Sequence, residues 1–169
     1  MRLNKTISLI ASKTWGLCKS ALALFCSIFL TTFITQKITP FPDGGFLLAA
    51  LGASAIILYS THHYTPYSKL WTFAGGHLFS AVVGVSCALY IHDITMATAT
   101  AVSGSFLVMR LFRCLTPPGA ATALAPVVSS QDPELLGYYF VLTPVGINVL
   151  VMLLFAILIN QTTTRPTTK

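Results

Sequence analysis

Charged residues divide the chain into six uncharged, largely apolar runs: 20–36, 44–68, 70–92, 94–109, 114–131 and 135–164. An apolar helix needs about 20 residues to cross a bilayer, with a range of about 17 to 25. The first run reaches that length once Leu17 and Cys18 join it, which predicts a helix over 17–36. The second follows Pro40-Phe41-Pro42-Asp43-Gly44-Gly45, a turn-forming stretch, and predicts a helix over 46–60. At about 1.5 Å per residue it is roughly 22 Å long, short of a full span. The third, over 70–91, carries Gly76, Ser80, Gly84 and Ala88 at every fourth position, a stripe of small residues that admits a close neighbour. The fourth, over 94–111, repeats the device with Ala97, Ala101 and Ser105 and is closed by Arg110 and Arg113. A fifth, over 117–130, opens on Pro117-Pro118, a pair that favours an extended chain before it and a first helical turn after it. It is short, and Pro126 interrupts it. The sixth, over 136–160, is long enough to span with tilt. Tyr138 and Tyr139 suit the interface, Pro144 predicts a kink, and the lone amide of Asn148 is expected to bond a neighbouring helix.

Composition turns these runs into membrane segments. Of 169 residues, 54% are hydrophobic and only 8% are charged, against about 25% charged in soluble domains; the mean hydropathy is +0.77. The chain reads as an all-α, polytopic integral membrane protein. Its net charge of +6 does not point to nucleic acid, because the basic residues stand singly at segment flanks or in the N-terminal segment, with no basic face interleaved with aromatics. Residues 1–16, with Arg2, Lys5 and Lys13, form a cytoplasmic segment that either is disordered or lies amphipathically on the membrane surface. Residues 17–161 form one transmembrane domain, and 162–169 a tail. The first run lacks a small-x-small cleavage site and reads as a retained helix. Cys18, Cys26, Cys87 and Cys114 show neither CxxC spacing nor a paired framework and are expected as free thiols.

The two short elements occupy matching places, each the middle of three. Pro42-Asp43-Gly44-Gly45 opens one and Pro117-Pro118-Gly119-Ala120 the other, a pattern that points to an inverted-repeat transporter. With a cytoplasmic N-terminus and six crossings, nine of the ten basic residues fall inside and Lys37 alone outside. If the short elements instead dip in and return, the division is six to four. The positive-inside rule favours the first arrangement, and three elements per half make the halves antiparallel. The expected setting is a bacterial inner (plasma) membrane.

Leu51-Gly52-Ala53-Ser54-Ala55, Gly75-Gly76-His77-Leu78 with Ser80-Ala81-Val82-Val83-Gly84, and Arg113-Cys114-Leu115-Thr116-Pro117-Pro118-Gly119-Ala120-Ala121-Thr122-Ala123 resemble, in that order, the HPP family of integral membrane proteins. The resemblance covers about 40–160. It implies four membrane helices and a transport function, with nitrite the substrate linked to plastid and cyanobacterial members. The family's motif is His-Pro-Pro, and here Thr116 stands in the histidine's place. Since Thr does not titrate near neutral pH, a proton-coupled role for that position is not carried over.

The expected site follows from the broken helices. A helix start offers unpaired N–H groups and the positive end of its dipole, and small residues let a solute approach them. Two such starts, at Gly44-Gly45 and at Pro117-Pro118-Gly119-Ala120, are expected to converge on a small inorganic anion, with Ser54, Thr116 and Thr122 adding hydroxyl donors. Arg110 and Arg113 are placed as entrance charges. A side chain at Gly119 is expected to block the anion and leave the fold largely intact. His62, His63, His77 and His92 have no carboxylate or cysteine at metal-ligand spacing, and no catalytic motif or cofactor signature stands out, so neither metal, cofactor nor enzyme activity is expected; His77 is expected to be hydrogen-bonded in the bundle. The small-residue faces predict a homodimer or higher homo-oligomer in the lipid bilayer. A non-transporting scaffold or sensor is the alternative function.

Overall fold

The computed structural model describes the backbone of residues 2–38, 45–60, 66–128 and 137–163, and the side chains of 18, 20–37, 45, 47–59, 70–128 and 137–158. Gly44, the turn residues 40–43, His62, His63, Asp132, Glu134, the side chain of Lys69 and the tail from 164 lie outside the described residues.

Every described element is helical: α1 (Arg2–Ile38), α2 (Gly45–Ser60), α3 (Pro66–Tyr90), α4 (Ile94–Leu111), α5 (Pro117–Val128), a turn of π geometry (Val141–Gly146), and α6 (Ile147–Thr163). Among the described residues four stretches are long and apolar enough to cross a membrane: Ser20–Lys37, Leu70–Tyr90, Ile94–Leu111 and Val141–Leu158. α2 and α5 are the short pair, as the predicted bounds 46–60 and 117–130 imply. One boundary differs from expectation. Residues 2–16 are helical and continuous with α1, a 37-residue helix about 55 Å long, so much of it must project beyond an apolar layer of about 30 Å. The sixth element carries the kink expected at Pro144. Thr143 adopts extended angles (φ −138°, ψ 113°), because proline removes one amide and its ring clashes with the preceding turn.

The helix ends show why the chain folds back where it does. Asp93 caps α4, its carboxylate accepting the Met96 N–H at 2.8 Å, as an N-cap aspartate does. At the other end Arg113 takes a left-handed conformation (φ 54°). The Cys114 N–H then bonds to the Met109 carbonyl and the Arg113 N–H to that of Arg110, the paired closure of a Schellman turn. The indole of Trp71 donates to the Phe112 carbonyl at 3.1 Å, and the rings of Phe79 and Phe112 stack 4.4 Å apart, so the turn is held against α3.

From there Cys114–Thr116 runs back into the bundle. Cys114 and Thr116 meet α3 at Gly75 and Gly76, five residues beyond Trp71 and so about 7 Å deeper. α5 begins at that level and runs parallel to α3: Ala123 lies against Gly84, and Val127 joins the cluster of Cys87 and Ile91. α5 therefore leads the chain towards the end of the bundle opposite the Trp71 turn, as a crossing element would. The Tyr138 hydroxyl meets Ser86 at 3.0 Å, which puts the start of the last element at that same end. Leu47, Leu51 and Ala55 of α2, Phe73, Ala81 and Val85 of α3, and Val145, Val149 and Met152 of the last element form the main core. Large apolar side chains such as Phe25, Phe29, Phe33, Leu107, Leu150 and Leu154 face outward, the pattern of a bundle solvated by lipid.

Candidate functional site

The α3 glycines let α5 come into backbone contact. A Cβ at Gly84 would overlap the Ala123 carbonyl, and one at Gly119 would lie 2.7 Å from the Gly76 carbonyl and 3.0 Å from the Met109 sulfur. Gly119 thus packs rather than opens a path, which corrects the expectation that a side chain there leaves the fold intact. The small residues of α4 are spent the same way: Ala97, Ala101 and Ser105 are buried within this one chain. The stripes read as oligomer faces are inner faces.

Next to this seam lies a polar chain that joins three helices. His77 of α3 has no exposed surface. Its Nε2 is 2.7 Å from Ser54 Oγ of α2, and its Nδ1 is 2.6 Å from Thr122 Oγ1 of α5. The Thr122 hydroxyl also donates to the Pro118 carbonyl at 3.3 Å. Hydrogen-bond balance assigns the tautomer of the neutral ring. Because the Thr122 proton is used on Pro118, Thr122 accepts from Nδ1–H, and Nε2 accepts from the Ser54 hydroxyl. One directed chain results, from Ser54 through His77 and Thr122 to Pro118. Phe73 stands edge-on to the imidazole at 4.9 Å. One turn along α3, Ser80 Oγ is fully buried and without a hydrogen-bond partner.

The structure brings together Ser54, Thr116, Pro118, Gly119 and Thr122 of the expected site, but not in the expected way. Ser54 and Thr122 bond His77 instead of standing free for a solute. Pro117 and Pro118 have no N–H, and Gly119 spends its own on the Thr116 carbonyl at 3.0 Å. The start of α5 therefore keeps at most the Ala120 donor from its opening turn. Thr116 contributes this carbonyl and a methyl packed on Gly76 and Gly119, a role of backbone and shape. The second helix start does not converge. Gly45 is exposed, and nine helical residues, about 13 Å, separate it from Ser54. α2 presents its middle, at Ser54, to the junction, while its core face runs from Leu47 in the first turn through Leu51 to Ala55. Arg110 and Arg113 are exposed at the turn leading into α5.

Sequence reasoning expected His77 to bond within the bundle but left it out of the site. The signal available was a histidine directly after Gly75-Gly76, on a face where glycines let a neighbouring helix close in. Elsewhere Asn148 makes the expected interhelical bond, its Nδ2 donating to Thr35 Oγ1 of α1 at 2.7 Å. The four cysteines are free, and no cluster of three or more metal-ligating side chains occurs among the described residues.

Residues 11–168 match the family model described as the HPP transmembrane region. The chain belongs to the HPP family. Two curated transmembrane proteins of Dictyostelium discoideum are each 32% identical to it, over 146 and 144 residues. These matches cover 84% and 83% of the chain but 46% and 50% of the relatives, so the chain spans about half the length of the curated relatives it matches. No solved structure matches it. In this HPP-family protein Thr116 lies at the α3–α5 seam, and the histidine of the junction comes from α3.

Proposed function

We propose that this HPP-family membrane protein transports a small inorganic anion of the nitrite type, and that the α2–α3–α5 junction lies on its path. The observation that carries the reading is the buried chain Ser54–His77–Thr122, which ties both short helices to α3. Polar groups at membrane depth are costly and mark solute paths; three of them meeting where α5 begins inside the bundle is a costly arrangement for packing alone. A planar or compact anion would find near there the unpartnered Ser80 hydroxyl, the Ser54 hydroxyl once it turns from the imidazole, and small neighbours. Arg110 and Arg113 would raise the local anion concentration at the mouth. The distribution of basic residues supports a setting with both termini on the cytoplasmic side, as in a bacterial inner membrane.

Nitrite uptake into proteoliposomes, corrected for protein-free vesicles, tests the reading. The parent should carry nitrite. Ser54→Ala combined with Thr122→Val should lower uptake about ten- to a hundredfold, since one contact to a charged ligand is worth about 1.5–3 kcal/mol. A parent that moves no anion, or a double variant that moves nitrite like the parent, sinks it.

A further inference from the structure

Among the described residues the junction holds no countercharge: Lys37, Asp93, Arg110 and Arg113 are all exposed, and none bonds to His77. The groups around the imidazole are neutral: Ser54 from α2, Thr122 from α5, Phe73 and Ser80 on its own helix. Of the titratable side chains on neighbouring segments, Tyr59 of α2 donates its hydroxyl to the Met152 carbonyl and Cys114 packs on Gly75. α4 and the described part of the last element bring no titratable group to the ring. An anion moving through such a site must bring a cation with it or face a low-dielectric interior alone.

We propose that His77 binds that cation as a proton, and that proton binding at His77 is coupled one to one to anion movement. The proposal rests on the anion-transport reading and adds its coupling ion. The hydrogen-bond chain accommodates the step without moving a helix. A proton adds to the lone pair of Nε2, which until then accepts from Ser54. Nδ1–H goes on donating to Thr122, and Thr122 goes on donating to Pro118. Ser54 Oγ changes from donor to acceptor of the new Nε2–H, so its own hydroxyl proton is released from the ring and turns towards the path. Charging the ring therefore creates a free donor at the same moment that it creates the countercharge. Ser80, fully buried, unpartnered and three residues along the same helix face, supplies a second hydroxyl within the site. When the anion leaves, Ser54 turns back as Nε2 gives up its proton. No bond other than N–H forms or breaks, and nothing is oxidised.

The experiment uses the full chain in liposomes with nitrite as the probe, comparing a pH gradient with a potassium diffusion potential as the driving force. For the parent, accumulation above that of protein-free vesicles should follow the pH gradient, about tenfold per pH unit for one proton per anion, and respond little to voltage. His77→Gln keeps one donor and one acceptor in place of the neutral ring but binds no proton; its uptake should lose the pH drive and follow voltage or stop. A parent that carries nitrite under voltage alone overturns the coupling and leaves the transport reading standing, whereas a parent that carries none overturns both. A second measurement does not depend on flux. In a variant with His62, His63 and His92 replaced by Gln, nitrogen NMR of the His77 ring should show the Nδ1–H tautomer at about pH 8 and an imidazolium when nitrite is added at about pH 6. A ring that stays neutral with saturating nitrite overturns the proposal.

Discussion

α5 and α2 are the two short helices, similar glycine- and proline-rich sequences mark their starts, and they are held by opposite means. α5 is pressed on α3 backbone to backbone: a Cβ at Gly84 or Gly119 has no room. α2 has slack where α5 has none, since a Cβ at Gly45 or Gly52 would meet nothing within 4 Å. It is held instead by larger side chains, Leu47 and Leu51 in the core, and by single hydrogen bonds such as Ser54 to His77. Close packing gives a steep, short-ranged energy well, while long side chains and one hydroxyl allow sliding and re-pairing. α5 is held by backbone contact and α2 by the fit of its side chains.

Four substitutions test this contrast. Gly84→Leu should do the most damage, driving a branched side chain into the Ala123 carbonyl; the folded, monodisperse particle should be lost on detergent size exclusion. Gly119→Ala adds one methyl against the Gly76 carbonyl and should destabilise by about 1–3 kcal/mol, the usual range for overpacking, read as a lower thermal midpoint. Thr122→Val removes the link between α5 and His77 and should cost about 1 kcal/mol, the scale of one interhelical bond in a membrane. Gly52→Ala should be neutral or stabilise α2 by up to about 1 kcal/mol through helix propensity. If Gly52→Ala proves as harmful as Gly119→Ala, the two helices are held alike and the contrast fails.

Much of this architecture is legible from spacing and charge. The α4 boundaries 94–111 agree with the structure because Asp93 is a capping residue and the Arg110–Arg113 turn ends the apolar run. The kink at Pro144 and the interhelical bond of Asn148 follow from proline's missing donor and from an amide in an apolar helix. The course of α2 was not legible. Its near-uniform apolarity gives no face, so the sequence could not say whether its start or its middle meets α5. Nor could the stripe Gly76–Ser80–Gly84 say whether it receives a helix of the same chain or of another copy, since both need the same small residues. The start of α1 was not legible because Lys13 and Lys19 mark the edge of an apolar run, and a helix can continue past such an edge into water. His77 stayed outside the site because its meaning depends on two partners, 23 residues before and 45 after it.

The bond between Asn148 and Thr35 spans 113 residues of sequence, and this bears on the order in which the protein is made. α1 is made before α6, and its inner hydroxyls are largely self-sufficient: Ser27 and Thr31 donate to the carbonyls of Leu24 and Ile28 one turn back. Asn148 emerges long after them, and its amide donates across to α1. Tyr59 waits as well, since the carbonyl it bonds belongs to Met152. Neither bond can therefore form until α6 has been made. A translation arrest before α6 would leave α1 and α2 inserted but unlatched, open to quality control.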